Sequence, residues 1–306
     1  LRRPSPGRPF EAPLFAPMQL RSVLREHNWD RSPVAINVET SAETQLVRAV
    51  EKIRRQMETS RDEMKSLRRQ FVTAQILLGA VSSSLARKSP ARVHERNTLA
   101  LESFRAALET EGHKNDLVAK ELHAHQLRTS GHLNEALQAY CELEAIAAAL
   151  EDKEERVRLS ARCKRFRAEI LQMLNATADD TGKVTFAPCA PAYLLVSKTI
   201  VGSALSIMEE LKPFFDWDLI EEGETNYLAA FIGKNLNFPI VARQHLDRAE
   251  KAYETVLAIS LPRRTWGWDK NRRLKSVARQ GLDRVRNAKA GNYDASWLTP
   301  PLKKTK

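Results

Sequence analysis

Hydrophobic positions along the chain recur at steps of three and four, and no segment sustains the alternation of a half-buried strand, so the pattern predicts an all-α protein. The strongest run is Leu46, Val50, Ile53, Met57, Ser60, Met64, Leu67 and Phe71, with steps of 4, 3, 4, 3, 4, 3 and 4. Charged residues such as Arg48, Glu51, Lys52, Arg54 and Arg55 fill the positions between, as a narrow seam with solvated flanks requires. This run predicts one long helix over residues 41–86, about 70 Å from end to end and too long for the interior of one compact domain. Its seam can pair with another chain or with this protein's own helices. After Lys88-Ser89-Pro90, shorter helices are predicted over residues 97–109, 115–129, 133–150 and 153–175, with turns at Gly112 and Gly131. A polar linker covers residues 176–191, where 184–186 reads as one short extended piece. Further helices are predicted over 192–212, 224–235, 239–260 and 269–288.

The ends break the pattern. Residues 1–40 read as an extended arm with a short helix near 19–26. Its first 18 residues hold five prolines, three arginines and one acid, which excludes a helix there. An Arg- and Ser-containing, acid-poor start resembles the remnant of a mitochondrial transit peptide, and a basic arm without that history has the same composition. The chain has 306 residues and a formal net charge of +11. Residues 1–262 carry 36 basic and 35 acidic side chains, whereas residues 263–306 carry 13 basic and three acidic ones. A neutral body with a basic end points to an anionic partner at that end. Five units follow: the arm 1–40, a helical region 41–175, the linker 176–191, a second helical region 192–262, and a basic segment 263–306.

Within the helices one motif recurs: a small residue, an aromatic four later, and a small or apolar residue three after that. It occurs as Ala100, Phe104, Ala107; as Ala136, Tyr140, Leu143; and as Ala249, Tyr253, Val256. The first two copies lie 36 residues apart, Gly131 stands at an inter-helix turn before the second, and Pro262 follows the third. This resembles the second helix of a tetratricopeptide repeat, in which the small residue permits close approach and the aromatic fills the gap to the next helix. The family's first-helix Trp and Leu-Gly pair are missing, and residues 150–238 hold no clean copy. The resemblance implies a TPR-like α-solenoid that binds macromolecules; ordinary helix pairs produce the same motif. Either way the expected architecture is antiparallel helical hairpins, with one long N-terminal helix and extended basic termini.

No constellation for catalysis, cofactor binding or metal binding stands out. His123 and His125 are two apart, which aims them at opposite sides of a helix. Cys163 lies on the apolar stripe Leu159, Cys163, Phe166, Ile170 and reads as a core thiol. Thr181-Gly182-Lys183 lacks the full phosphate-loop pattern. Asp216, Asp218, Glu221, Glu222 and Glu224 lack the spacing of a calcium loop and read as an acidic surface for a basic neighbour. Three cysteines without a CxxC pair argue against a disulfide framework or a zinc ribbon. The most apolar stretch, 193–208, is interrupted by Lys198 and falls short of the ~20 residues of a membrane span.

The basic end carries the chemistry that remains. Arg263, Arg264, Trp266 and Trp268 precede a predicted helix bearing Lys270, Arg272, Arg273, Lys275, Arg279, Arg284, Arg286 and Lys289. Its apolar stripe is Leu274, Val277, Ala278, Leu282 and Val285, leaving the arginines for phosphates and the two tryptophans for stacking on unpaired bases. Residues 292–306 read as an extended tail. A basic amphipathic helix also suits an anionic lipid surface or an acidic protein. The expected function is a non-catalytic scaffold subunit of a ribonucleoprotein, foremost a mitochondrial ribosome in the matrix. It would touch rRNA or another structured RNA through residues 263–286 and neighbouring proteins through its helices, with no membrane span, cofactor or small-molecule substrate. The alternatives are a soluble TPR-like adaptor that never meets nucleic acid and an enzyme or enzyme-complex subunit without a visible motif; a location outside the mitochondrion would be the cytoplasm.

Overall fold

A computed structural model describes residues 33–178, 184–187, 190–212, 214, 217–259 and 267–298. Among them ten α-helices follow one another: α1 Pro33–Thr59, α2 Met64–Lys88, α3 Val93–Glu109, α4 Leu117–Thr129, α5 Leu133–Ala148, α6 Lys153–Asn175, α7 Ala190–Met208, α8 Trp217–Asn235, α9 Pro239–Ala258 and α10 Gly267–Lys289. The described residues are all-α apart from one small ribbon. Each helix packs chiefly against the one before it and the one after it.

The long helix expected over 41–86 is instead two. The chain turns between Thr59 and Met64, and α1 lies antiparallel on α2, so the seam closes on itself: Leu46, Val50, Ile53 and Met57 meet Phe71, Ala74 and Leu78. A heptad pattern fixes which side of a helix is apolar; it does not require the helix to continue. Ser60 is the polar position in the seam, and the Thr59 hydroxyl binds the carbonyls of Arg55 and Gln56 where the helix ends. Helix α1 also begins earlier than expected, at Pro33, taking in residues assigned to the arm; proline's fixed φ suits a first helical position. At the open end of the hairpin, Ser82 donates to Glu43 at 2.7 Å, and Ser84 and Lys88 donate to Glu39. Both carboxylates are buried and held by donors from α2.

Turn chemistry sets the next connections. Gly112 and Gly131 have φ of 82° and 84°, the left-handed conformation that favours glycine. Asp116 and Asp152 cap α4 and α6 by accepting from the backbone N–H of Ala119 and of Glu154 and Glu155.

All nine motif residues, Ala100, Phe104, Ala107, Ala136, Tyr140, Leu143, Ala249, Tyr253 and Val256, are buried, and the three aromatics are the bulkiest wholly buried side chains. Phe104 lies over Gly79 of α2, where a Cβ would stand 2.6 Å from its ring. Tyr140 meets Phe166 of α6 with ring centroids 5.1 Å apart. Tyr253 is wedged between Gly223 of α8 and Gly281 of α10. Each aromatic thus occupies the space between its own helix and a neighbour.

Two expectations for irregular segments change. The extended piece Val184–Phe186 has a partner, Ala176–Ala178, paired antiparallel. The described part of the C-terminal tail folds back: Leu298 is buried with Met173 and Phe231, and Trp297 packs edge-on to Phe231 at 5.4 Å. Tyr227 anchors it, its hydroxyl accepting from the Asp294 N–H at 3.0 Å and donating to the Asp294 carbonyl at 3.3 Å. Tyr293, Trp297 and Leu298 carry enough apolar surface to favour burial over extension.

Gly223→Ala would gain helix propensity yet place its Cβ 2.6 Å from the caged Tyr253 ring, and a net loss of about 1–3 kcal/mol is expected. Gly202→Ala meets nothing within 4 Å and is expected to gain about 0.5–1 kcal/mol. Urea denaturation of the two variants checks this opposition in sign.

Candidate nucleic-acid interface

Helix α10 is built as the apolar stripe predicts. Leu274, Val277, Ala278, Leu282 and Val285 are buried against α8 and α9 in the cluster that includes Tyr227, Leu246, Ala249 and Tyr253. Arg272, Arg279 and Arg286 are exposed, at intervals of seven residues, which is about two turns or roughly 10.5 Å of rise. Lys275 lies half-buried beside this stripe and Asp283 interrupts it.

The structure divides the basic residues that the sequence groups together. Arg284 leaves the candidate face: it forms an ion pair with Glu224, and its guanidinium lies 5.3 Å from the centroid of the Tyr227 ring. Burial acts most strongly, to lower its pKa, but Glu224, Tyr253 and Tyr227 together outweigh it and the net shift is upward. Lys289 is likewise engaged, with Asp247 and Glu250. Arg286 retains a long 3.9 Å contact to Glu250 while staying largely exposed. Arg273 is half-buried and has a partner. Trp268 and Lys270 belong to the first turn of α10, and Arg263, Arg264 and Trp266 lie outside the described residues.

Three members of the acidic stretch expected to form a surface for a neighbour are instead paired within the chain, and Glu222 between them is half-buried, its carboxyl pushed up by burial. Asp218 accepts from two nitrogens of Arg158 at 2.9 and 3.0 Å, Glu221 pairs with Arg165, and Glu224 receives both Arg284 and the Tyr253 hydroxyl. Asp216 lies outside the described residues. The matching basic residues of α6 were visible in the sequence as Arg158, Arg162 and Arg165 at steps of four and three. That spacing places them on one side of a helix, opposite carboxylates that sequence order alone does not reveal.

Among the described residues no three His, Cys, Asp or Glu side chains stand together as a metal site. His125 is half-buried, edge-on to Phe166 at 5.9 Å, and loss of solvent around the ring pushes its pKa well below the usual imidazole value. Cys163 is buried between α5 and α6 and its thiol is pushed up by burial. A separate open groove of about 670 Å³ runs between α3, α4 and α5, lined by Arg105, Glu109, Lys120, His123, Glu135 and Glu142 among others. Its charges are mixed in sign, unlike the α10 stripe.

Sequence patterning missed one surface, the exposed apolar residues Tyr193, Leu195 and Val196 of α7 with Phe238, Ile240 and Val241 at the α8–α9 corner. Helix α7 with the 3-10 turn after it, Ala190–Leu211, is long and apolar enough to cross a membrane by length and composition, contrary to the expectation from 193–208. It nonetheless packs into the protein through Leu194, Ser197, Val201, Ala204 and Met208.

No family model matches the chain, and no curated protein matches it either.

Replacing Arg284 by Gln is expected to lower stability by about 1–3 kcal/mol, since it strands Glu224. Gln at Arg272 or Arg279 is expected to change stability by less than about 0.5 kcal/mol. Thermal or urea unfolding of the three single variants checks this sorting of the basic residues.

Proposed function

We propose that the protein is a non-catalytic helical scaffold subunit of a ribonucleoprotein, foremost a mitochondrial ribosome, which meets rRNA through its basic C-terminal segment and neighbouring proteins through its helices. The observation that carries this reading is the arginine stripe of α10. Arg272, Arg279 and Arg286 face outward from a helix whose other side is fixed in the core. Rigidly mounted, outward guanidiniums spaced along a rod match a phosphate backbone and need no base reading. Stacking of unpaired bases by Trp266 and Trp268 belongs to the same proposal. Helices that pack mainly on their sequence neighbours, with the small/aromatic motif buried at three interfaces, favour a TPR-like repeat stack as the scaffold.

A soluble TPR-like adaptor is the second reading, favoured by the mixed-charge groove between α3, α4 and α5, whose Arg105, Lys120, Glu135 and Glu142 suit a polar peptide better than an anion.

A chain cut before residue 263 would lose α10 and expose the cluster beneath it, so a charge-only variant is the informative test. With Arg272, Arg279 and Arg286 all changed to Gln, affinity for single-stranded rRNA segments is expected to fall. The slope of log affinity against log salt is expected to become shallower by about 2. Affinity and slope equal to those of the parent chain would overturn the contact. Partners retained from nuclease-treated extract, without co-sedimentation with a large particle, would favour the adaptor.

A further inference from the structure

From the apolar surface on α7 and the α8–α9 corner we infer a docking site for a membrane surface that contains anionic phospholipid. The corner is built to project. Asn237, at φ 60°, reverses the chain after α8, with the Phe238 N–H bonded to the Gly233 carbonyl at 2.8 Å, and α9 starts at Pro239. Phe238, Ile240 and Val241 are left facing outward, Ile240 with 75% of its surface exposed. Three neighbouring apolar side chains at a helix start gain nothing from water, and each keeps more than a third of its surface exposed.

Helix α7 extends the surface. Leu194 and Val201 share a core cluster with Leu228 and Ile232 of α8, which brings the start of α7 alongside the end of α8. Lys198 Nζ lies 4.5 Å from the centroid of the Phe238 ring and joins the two parts. Leu195, 52% exposed and three residues from Lys198, is therefore on the same side as the corner, whereas Val196, two residues from Lys198, faces away from it.

Charge selects the occupant. Residues 190–208 and 234–246 contain no Asp or Glu, and their Lys and Arg side chains are Lys198, Lys234 and Arg243, all exposed; Lys234 lies 4.4 Å from the centroid of the Tyr293 ring, and Arg243 makes a 3.6 Å surface contact with Asp247 one turn on. A projecting apolar knob with a cationic rim fits an anionic bilayer interface, where the apolar side chains enter the acyl boundary and Lys and Arg remain among the headgroups. The buried side of α7 holds it to α8, so the chain lies on the surface and does not thread it.

The test is flotation of the full chain with phosphatidylcholine vesicles with and without phosphatidylglycerol. Binding is expected only with the anionic lipid. Ile240→Asp is expected to weaken it about tenfold or more, the scale of losing one buried aliphatic side chain, and Lys198→Gln together with Arg243→Gln should weaken it as well. Val47→Asp, an exposed apolar position on α1, should bind like the parent. So should the chain with Gln at Arg272, Arg279 and Arg286, which separates this site from the proposed RNA face. The inference is overturned if the parent chain does not float, if Ile240→Asp floats equally, or if the α10 variant alone loses binding. It is also overturned if sedimentation shows an Ile240-dependent dimer or protein complex in place of vesicle binding.

Discussion

The fold depends on the matching of a strongly basic helix to carboxylates on both sides of it. Helix α6 carries Arg158, Arg162, Lys164, Arg165 and Arg167, yet it lies between α5 and α7 and also reaches α4 and α8. Toward the N-terminal half, Arg162 meets Glu121, and Lys164 and Arg167 share Glu144. Glu169, itself on α6, draws in Arg128 of α4 at 2.8 Å and Arg165 beside it. Toward the C-terminal half, Arg158 takes Asp218 and Arg165 takes Glu221. Arg128 and Arg165 both lie over the Phe166 ring, at 4.6 and 4.2 Å, so the guanidiniums are packed as well as paired. Removing such groups from water is unfavourable unless every charge is met, so the pairing constrains how α4, α5 and α8 can sit. A helix too polar for an interior by composition is interior because its neighbours supply the opposite charge.

The same constraint shapes the basic end. Asp218, Glu221 and Glu224 follow at steps of three along α8; each step turns about 60° around the helix, from the side facing α6 to the side facing α10. The first two are consumed by α6 and the third by Arg284. A terminal segment that is strongly basic by count therefore presents a narrower charge. Arg284 and Lys289 hold α10 to the body, and Arg272 and Arg279 face water with Arg286. The division gives α10 two roles, the inner basic residues fixing the helix and the outer ones available to an anion.

Much of the helical framework was legible from period alone. The expected limits of α6 and the turns at Gly112 and Gly131 agree with the structure because capping aspartates and left-handed glycines are local signals. Burial of Phe104, Tyr140 and Tyr253 was legible because a large ring three residues before and four after a small partner needs a neighbouring helix. The break at Ser60 was not, since a seam folded back on itself has the same periodicity as a seam that runs on. The acidic stretch of α8 was misjudged because charges look solvated until their partners, some 60 positions away in sequence, are placed opposite them. Nor did the tail announce its return, because Tyr227 and Asp294 join only in three dimensions.

Helix α6 meets α8 by charge through Arg158 with Asp218 and through Arg165 with Glu221, and the second pair also joins Glu169 and Arg128. A double-mutant cycle of Arg165→Met, Glu221→Gln and the combined variant, followed by urea unfolding, measures that coupling directly. An interaction energy of about 1.5 kcal/mol or more is expected, with the double variant more stable than the sum of the single losses allows. An interaction energy below about 0.3 kcal/mol would mean that the two residues act independently and that this pair does not hold α6 to α8.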